Sequence, residues 1–558
     1  MKQEPSFPSR MKIDAGRSAG PASMSLALAL AAGMLVFLLV PIALAVRSAF
    51  LSDGKLSLYW FGSTMGDPVV LRDFRNAALL ACATTLASLV LALPLALLRT
   101  RCRFPGSGVL GMLLLVPMIL PPFVGALSMR RLFSQFGVVN QLLAKIGILD
   151  FGSSLPPDWL GGGFTAVVFL QTLHLFPILY LNASAALANV DPTLTQAARN
   201  LGAGPLRAFL RVTLPLMRPG LFAGGTIVFI WSFTDVGTPA ILNFDHVVAV
   251  RIFKSIGKAE TWGVTYSVVF VMLVSSVGLY ILGKSLFGRS AAAESAKASI
   301  AAETRRLGPA GTLGAWLLFG AVIALAALPH VGVVLTSVAD TWVNSVLPNG
   351  YTLKHLAFVV THPATWRSLL NSLQYAGIST ALDLVLGALA AWLIVRARVR
   401  GRHLLDGVMM LPLAVPGIIL AAGYVALTAK NWMGALPPDA RGLWLWNIGE
   451  WLVSIGPTKA PFMLLVIAYT VRRVPFVVRS ASAGLEQVPV ALEEAARNLG
   501  SSRIGAFWRV TLPLIAANAP MTELHKLRAS EGHPTLLRRG LELAATGATS
   551  LEEVLRVL

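Results

Sequence analysis

The sequence predicts an all-α fold in which most helices cross a membrane, and three observations carry that reading. Of the 558 residues, 55% are apolar and only 13% are charged, whereas an ordinary soluble globule carries about 25% charged residues. Ten apolar runs come close to or exceed the roughly 20 residues that a helix needs to cross a bilayer. Between them a polar stretch occurs twice, as QAARNLGAGPLRAFLRVTLPL over 196–216 and EAARNLGSSRIGAFWRVTLPL over 494–514, identical at 14 of 21 positions with a constant offset of 298. An offset that long indicates a duplicated domain rather than a stack of short repeats.

Taken in order, the chain begins with a polar tail, 1–23, and a first apolar run, 24–46. No small-residue cleavage pattern follows that run, so it reads as a retained helix rather than a signal peptide. Further spans fall at 76–98, 108–129, 164–188, 220–242 and 264–282, giving a first domain, 24–283, with six spans. The segment 284–312 is rich in Ala, Ser and Gly with scattered charges and reads as a linker. The second domain, 313–520, has four spans, at 314–338, 372–395, 404–428 and 457–476. Landmarks pair across the halves: Asn76 with Asn371, Pro117 with Pro412 and Pro121 with Pro416 at an offset of 295, then Pro177 with Pro475 at 298. Within spans three and nine, Pro117, Pro121, Pro122, Pro412 and Pro416 lack donors and clash with the preceding turn, so both helices should kink, for gating or for packing.

The net charge of +20 is compatible either with nucleic acid or with the basic inward loops of a membrane protein, and placement decides between them. Arg99, Arg101 and Arg103, then Arg199, Arg207, Arg211 and Arg218, then Arg396, Arg398, Arg400 and Arg402 all fall on one side if the N-terminus is cytoplasmic. A nucleic-acid surface would gather them on one soluble face, so that partner is excluded. Trp60, Trp159 and Trp262 lie in the outer loops as interface anchors. The two cysteines, Cys82 and Cys102, make neither a disulfide framework nor a metal site. A phosphate-loop pattern at Gly278, Gly283, Lys284 and Ser285 lies in a span instead of following a strand, so it is not a nucleotide site. Ionisable groups inside spans are functional hypotheses by default. Here they are His174, Asp235, His330 and Asp383, and the pathway candidates are Asp235, Gly237, Pro121, Pro416 and Asp383. Asp383 serves equally well as a helix-to-helix hydrogen-bonding group, and no cluster of ligands suited to iron is readable.

The repeated stretch resembles the EAA loop of ABC-importer permeases, in which Glu-Ala-Ala is followed by a Gly and then by Leu-Pro. The matching residues are Gln196, Ala197, Ala198, Gly202, Arg211 and Pro215 in the first copy, and Glu494, Ala495, Ala496, Gly500, Arg509 and Pro513 in the second. Gln196 replaces the motif's Glu, which puts an ion pair by that side chain in doubt there. FTDVGTPAIL at 233–242, LPLAVPGIILAAGY at 411–424 and YTVRRVPFVVRS at 469–480 are similar to two-domain permeases of the ferric-iron importer group. The resemblance implies two tandem type I permease domains in a bacterial inner membrane. It also implies coupling helices that dock on a dimer of ABC ATPase subunits, a periplasmic binding protein that delivers the substrate, and ATP with Mg2+ held by the partners and none by this chain. A gradient-driven secondary transporter is the rival reading.

The second half departs from this pattern after Leu514, where two more spans are expected and 521–558 instead carries five basic and five acidic residues with no long apolar run. Its close, with Gly547 as a helix breaker and Ser550 and Glu553 as a capping box, resembles the C-terminal tip of the ATPases of type II secretion and type IV pilus assembly. That tail is expected to be foreign to the parent family, through a fusion or a reading error, and the second domain to lack its last two spans, which could leave the protein inactive.

Overall fold

The computed structural model describes residues 20–52, 55–119, 121–151, 155–188, 190–258, 261–287, 305–397, 399–428, 450, 461–488, 490–498, 500–511 and 513. The tail 521–558, most of the linker and the start of span ten therefore lie outside the described residues. The chain divides into two compact units, one from residues 1–37, 375–413 and 465–558, the other from residues 38–374 and 414–464.

The described structure is helical apart from three two-stranded ribbons, as an all-α membrane fold requires: in lipid only a helix or a closed barrel satisfies every backbone group. In chain order the first half comprises α1 (Pro21–Ala49), the ribbon β1 (Leu51–Ser52) with β2 (Lys55–Leu56), α2 (Tyr59–Gly66), α3 (Pro68–Arg101), β3 (Cys102–Arg103), α4 (Ser107–Leu113), α5 (Pro122–Phe133), α6 (Val138–Lys145), α7 (Gly163–Ala188), α8 (Pro192–Asn200), α9 (Pro205–Ala208), α10 (Leu214–Phe233), α11 (Gly237–Ile241), α12 (Val248–Ser255) and α13 (Trp262–Phe287). After β4 (Arg305–Arg306) follow α14 (Pro309–Val338), the ribbon β5 (Ala339–Thr341) with β6 (Gly350–Tyr351), α15 (Lys354–Thr361), α16 (Pro363–Val395), α17 (Arg402–Ala414), α18 (Gly417–Thr428), α19 (Pro461–Gln487), α20 (Val490–Asn498) and α21 (Arg503–Ala506).

Seven of the described helices are long and apolar enough to cross a membrane, and up to nine if each bent pair counts as one span. The expected kinks are present as full breaks, and span five shifts. Span three is broken: the chain turns by 93° between Ser107–Met118 and Pro122–Lys145, because Pro117, Pro121 and Pro122 cannot continue the ladder. Span nine is interrupted at the matching place, between Ala414 and Gly417. Span five was expected over 220–242, yet its helix runs from Pro205 to Phe233 and stops where the Asp235 carboxylate accepts the Gly237 N–H at 3.0 Å, a side-chain turn that competes with the helical bond. Span ten, expected over 457–476, is described only from Pro461 on, where the helix α19 forms. The glycines and lysine of the phosphate-loop pattern lie inside α13, so they form no phosphate-binding turn.

The larger unit is built on α3, α7 and α10. Ala92, Leu95 and Ala96 of α3, Phe176, Leu179 and Ala183 of α7, and Met217 and Val228 of α10 are all buried in one cluster. α10 reaches α7 through Gly220 and Gly224. A Cβ on Gly220 would stand 2.6 Å from the Ala186 Cβ, and one on Gly224 2.8 Å from the Asn182 Cβ, so the spacing of small residues lets the backbones approach. Opposite charges fix the far end of α3, where the Arg251 guanidinium of α12 meets the buried Asp73 carboxylate at 2.7 Å.

The first helix of each half seats against the other half. α14 contributes Ala315, Phe319, Val322 and Ala326 to the first half's core, and its Pro329 Cβ lies 3.3 Å from where a side chain on Gly125 of α5 would begin. Reciprocally, Ala45 and Ala49 of α1 share a cluster with Ile419, Ala422 and Ala426 of α18, and Pro41 lies 2.8 Å from a Cβ built on Gly423. Each entering helix thus presses a proline onto a glycine of the opposite half's broken span.

Candidate functional site

The duplicated stretch folds twice into the same sequence of elements. In the first copy the Asp191 carboxylate accepts the Thr193 N–H at 2.8 Å and the Thr193 hydroxyl at 2.7 Å, an N-cap for α8. Those bonds hold the Asp191 carboxyl below its ordinary range. α8 then ends in a Schellman turn: the Gly202 N–H donates to the Arg199 carbonyl at 2.9 Å and the Ala203 N–H to the Ala198 carbonyl at 3.0 Å. Gly202 has φ +85°, a left-handed conformation that costs a side chain about 1–2 kcal/mol. The second copy repeats each bond, Gly500 to Arg497 at 3.0 Å and Ser501 to Ala496 at 3.0 Å, with Gly500 at φ +88°. Gly202 and Gly500 thus end their helices, as the spacing predicts.

Next come α9 and α21, then a widened π-turn at Phe209–Thr213 and at Phe507–Thr511. Every boundary in the second copy, α20 through its π-turn, lies 298 residues after its counterpart. Pro215 accounts for the widening in the first copy: without an N–H it cannot bond the Arg211 carbonyl four residues back, and the turn opens so that the Leu214 N–H reaches Phe209 instead. Pro513 stands at the same place in the second copy. Gln196, Ala197 and Arg211 in one copy, and Glu494, Ala495, Arg509 and Pro513 in the other, are exposed; Ala198, Ala496 and Pro215 are half-buried. Leu201 and Leu206 on the first turn are 89% and 70% exposed, which gives an otherwise polar turn an apolar face. Glu493, and not Glu494, bonds the Arg396 guanidinium at 2.9 Å, since adjacent residues of a helix face different directions.

Within the spans, Gln171 of α7 is the hub of a polar network that the sequence reading missed. Its amide oxygen accepts from Thr84 at 3.1 Å and Ser232 at 2.6 Å, and its amide nitrogen donates to Asp235 at 2.9 Å. The signal was present as single polar residues within apolar runs on α3, α7 and α10. Asp235 thereby both stops α10 and ties it to α7, while Gly237 packs with its Cα against Phe123, where a Cβ would stand 3.1 Å from the Phe123 Cβ. One turn along α7, His174 donates from Nδ1 to the Pro117 carbonyl at 2.9 Å, and a small cavity beside the break is lined by Pro117, Pro121, Pro122, His174 and His330. Asp235, Gly237 and Pro121 are therefore brought to one region. Pro416 is buried at the start of α18, accepting from the Ile419 N–H at 3.1 Å, and Asp383 is buried in α16 with Oδ1 lacking a hydrogen-bond partner among the described residues; neither belongs to that region's network. Among the described residues no three His, Cys, Asp or Glu side chains converge as metal ligands do.

Comparison with known proteins places this geometry. The family of binding-protein-dependent transport system inner membrane components matches twice, over residues 94–290 and 383–519, and both matches contain a Schellman turn with its π-turn. A Haemophilus influenzae protein named for the ferric transport system is 26% identical over 458 residues, 80% of this chain and 66% of that relative. The ferric transport system permease protein FbpB of Actinobacillus pleuropneumoniae is 24% identical over 483 residues, 82% of this chain and 64% of the relative. A Sinorhizobium fredii protein named as an ABC transporter permease is 26% identical over 492 residues, 87% of this chain and 82% of the relative. The chain thus spans slightly under two thirds of the length of the two ferric-transport relatives. With two tandem matches covering more than half its length, this multi-pass membrane protein belongs to the binding-protein-dependent transport system inner membrane component family, the permease subunits of ABC importers.

Proposed function

We propose that this chain is the fused permease subunit of an ATP-driven importer of ferric iron in a bacterial inner membrane. The observation that carries the reading is the repeated docking turn: two helices of equal length, each closed by a left-handed glycine and followed by a π-turn, on two copies of one domain. Two equal handles suit a dimer of ATPase subunits, one handle for each. Residues 24–283 and 313–520 are the two permease domains, 284–312 their cytoplasmic connection, and the N-terminus is cytoplasmic because that orientation puts the arginine-rich loops inside. ATP and Mg2+ are held by the ATPase partners, and a periplasmic binding protein hands over the substrate. Ferric iron is supported by the stretches at 233–242, 411–424 and 469–480 and by the names of two relatives.

Mechanically, ATP binding draws the partner subunits together, the helices around Gly202 and Gly500 move with them, and the broken spans at Pro121 and Pro416 swing about their interrupted ladders. Asp235, Gly237 and the Gln171 network hold the end of α10 at one such break, where a conformational change can reach the pathway. The test is uptake of radiolabelled ferric iron into proteoliposomes holding the full chain with its ATPase and loaded binding protein. Uptake that requires ATP supports the proposal. Uptake driven by an ion gradient without ATP overturns it, and ATP-driven uptake of a different substrate overturns the ferric assignment.

A further inference from the structure

The two halves place an arginine at the same point and neutralise it differently. Arg101 closes α3 and Arg396 follows α16, 295 residues later, and the left-handed glycines behind them, Gly106 at φ +76° and Gly401 at φ +79°, keep the same offset. Arg396 is answered from its own half: Nε meets Glu493 at 2.9 Å and Nη2 donates to the Val488 carbonyl at 2.7 Å. In the first half Thr195 occupies the place of Glu493. The Arg101 Nη2 is buried with no hydrogen-bond partner among the described residues, and the like charge of Arg199 of α8 lies within electrostatic reach of it. None of Arg99, Arg101, Arg103, Arg199, Arg305 and Arg306 forms an ion pair among the described residues, and the parallel pairing of Cys102 with Arg305 and Arg103 with Arg306 draws four of those side chains' backbones into one ribbon and the helix end beside it.

A buried guanidinium donor without an acceptor is costly, and two guanidinium groups without a carboxylate repel. Both penalties vanish if an anion with several acceptor oxygens sits between them, and a guanidinium fork matches a phosphate in geometry and charge. The position selects the source of that phosphate. Arg101 is the last residue of one span, α14 enters three residues after Arg306, and the Trp316 indole N–H bonds the Pro105 carbonyl at 3.0 Å, so the arginines lie at the depth of lipid headgroups on the basic side of the membrane.

We propose that Arg101 and Arg199, supported by the β3–β4 arginines, bind the phosphate of an anionic phospholipid headgroup in the first half, at the place that Glu493 fills from within the chain in the second. The site does not depend on the identity of the cargo. Its consequence is that one docking helix is tied to the neighbouring span by a residue of the chain and the other through a lipid.

The experiment is native mass spectrometry of the detergent-purified full chain titrated with dioleoylphosphatidylglycerol, dioleoylphosphatidylcholine or inorganic phosphate. Selective retention of phosphatidylglycerol is expected. Thr195→Glu, which supplies a carboxylate where Glu493 stands and leaves every arginine in place, is expected to lower that retention about fivefold, the effect of roughly one charge at an anionic surface; Arg101→Gln should do the same. Glu493→Thr should create a second retained lipid. Equal retention of the zwitterionic lipid, binding of inorganic phosphate in place of the lipid, or a Thr195→Glu chain that holds phosphatidylglycerol as well as the unaltered one would each overturn the proposal.

Discussion

Replacing Gly202 isolates what the docking turn contributes, because nothing lies within 4 Å of where its Cβ would stand. A methyl group there meets no neighbour, so the whole cost is conformational: an L side chain at φ +85° loses about 1–2 kcal/mol. That cost falls on the two bonds that close α8, from Gly202 to Arg199 and from Ala203 to Ala198. Opening of the turn should therefore be favoured by roughly 5–30-fold in Gly202→Ala, with Gly202→Asn intermediate because Asn tolerates the left-handed region. Hydrogen exchange of the amides at 202 and 203 in the purified chain reads this directly, and the turn at Gly500 in the same molecule serves as the unaltered reference. In proteoliposomes with the ATPase, the same variant should hydrolyse ATP while importing less substrate for each nucleotide consumed. Exchange at Ala203 that is equal in the Gly, Asn and Ala chains would refute the reasoning, since it would mean that the positive φ carries no energetic weight.

Two further outcomes follow from the same geometry. Gly224→Leu forces a side chain into a contact that already stands at 2.8 Å from the Asn182 Cβ, and overpacking of this kind costs about 1–3 kcal/mol; thermal unfolding should shift down, while Gly225→Leu, whose Cβ would have 3.8 Å of clearance to Thr85, should shift it less. Asp191 has its carboxyl held below the ordinary range by its bonds from Thr193, so its contribution to α8 is present at neutral pH and is lost as pH falls through the lowered folded-state value. Acid should then lower the protection of the Thr193 amide, measured against the intrinsic exchange rate at each pH, in the unaltered chain, and Asp191→Asn, which keeps an acceptor without a charge, should remove that dependence.

Much of this architecture was written in local pattern. Apolar length located the spans, and the prolines at 117, 121 and 122 located the break in span three, since a missing donor acts where it stands. The glycines of the docking turns were legible for the same reason. Span five was misplaced because hydropathy continues through Val236 and Ile241 while the helix ends at Phe233; a single carboxylate bonding forward to Gly237 outweighs the apolar run. The pairing of Glu493, rather than Glu494, with Arg396 was not legible, because two adjacent acids give no sign of which one faces a given partner. The Gln171 network and the seating of α1 and α14 were out of reach because their partners are 61 to 87 residues away in the first case and in the opposite half in the second, where no periodicity points.

The crossed seating of the two entering helices bears on how such a chain can be assembled. A ribosome releasing the first half would leave the seat for α14 on α5 empty until that helix emerged, and α1 would wait longer still for Gly423. Neither half closes on its own, so a chain split between them should yield fragments that survive only when made together, and the covalent connection serves chiefly to ensure that each finds its mate.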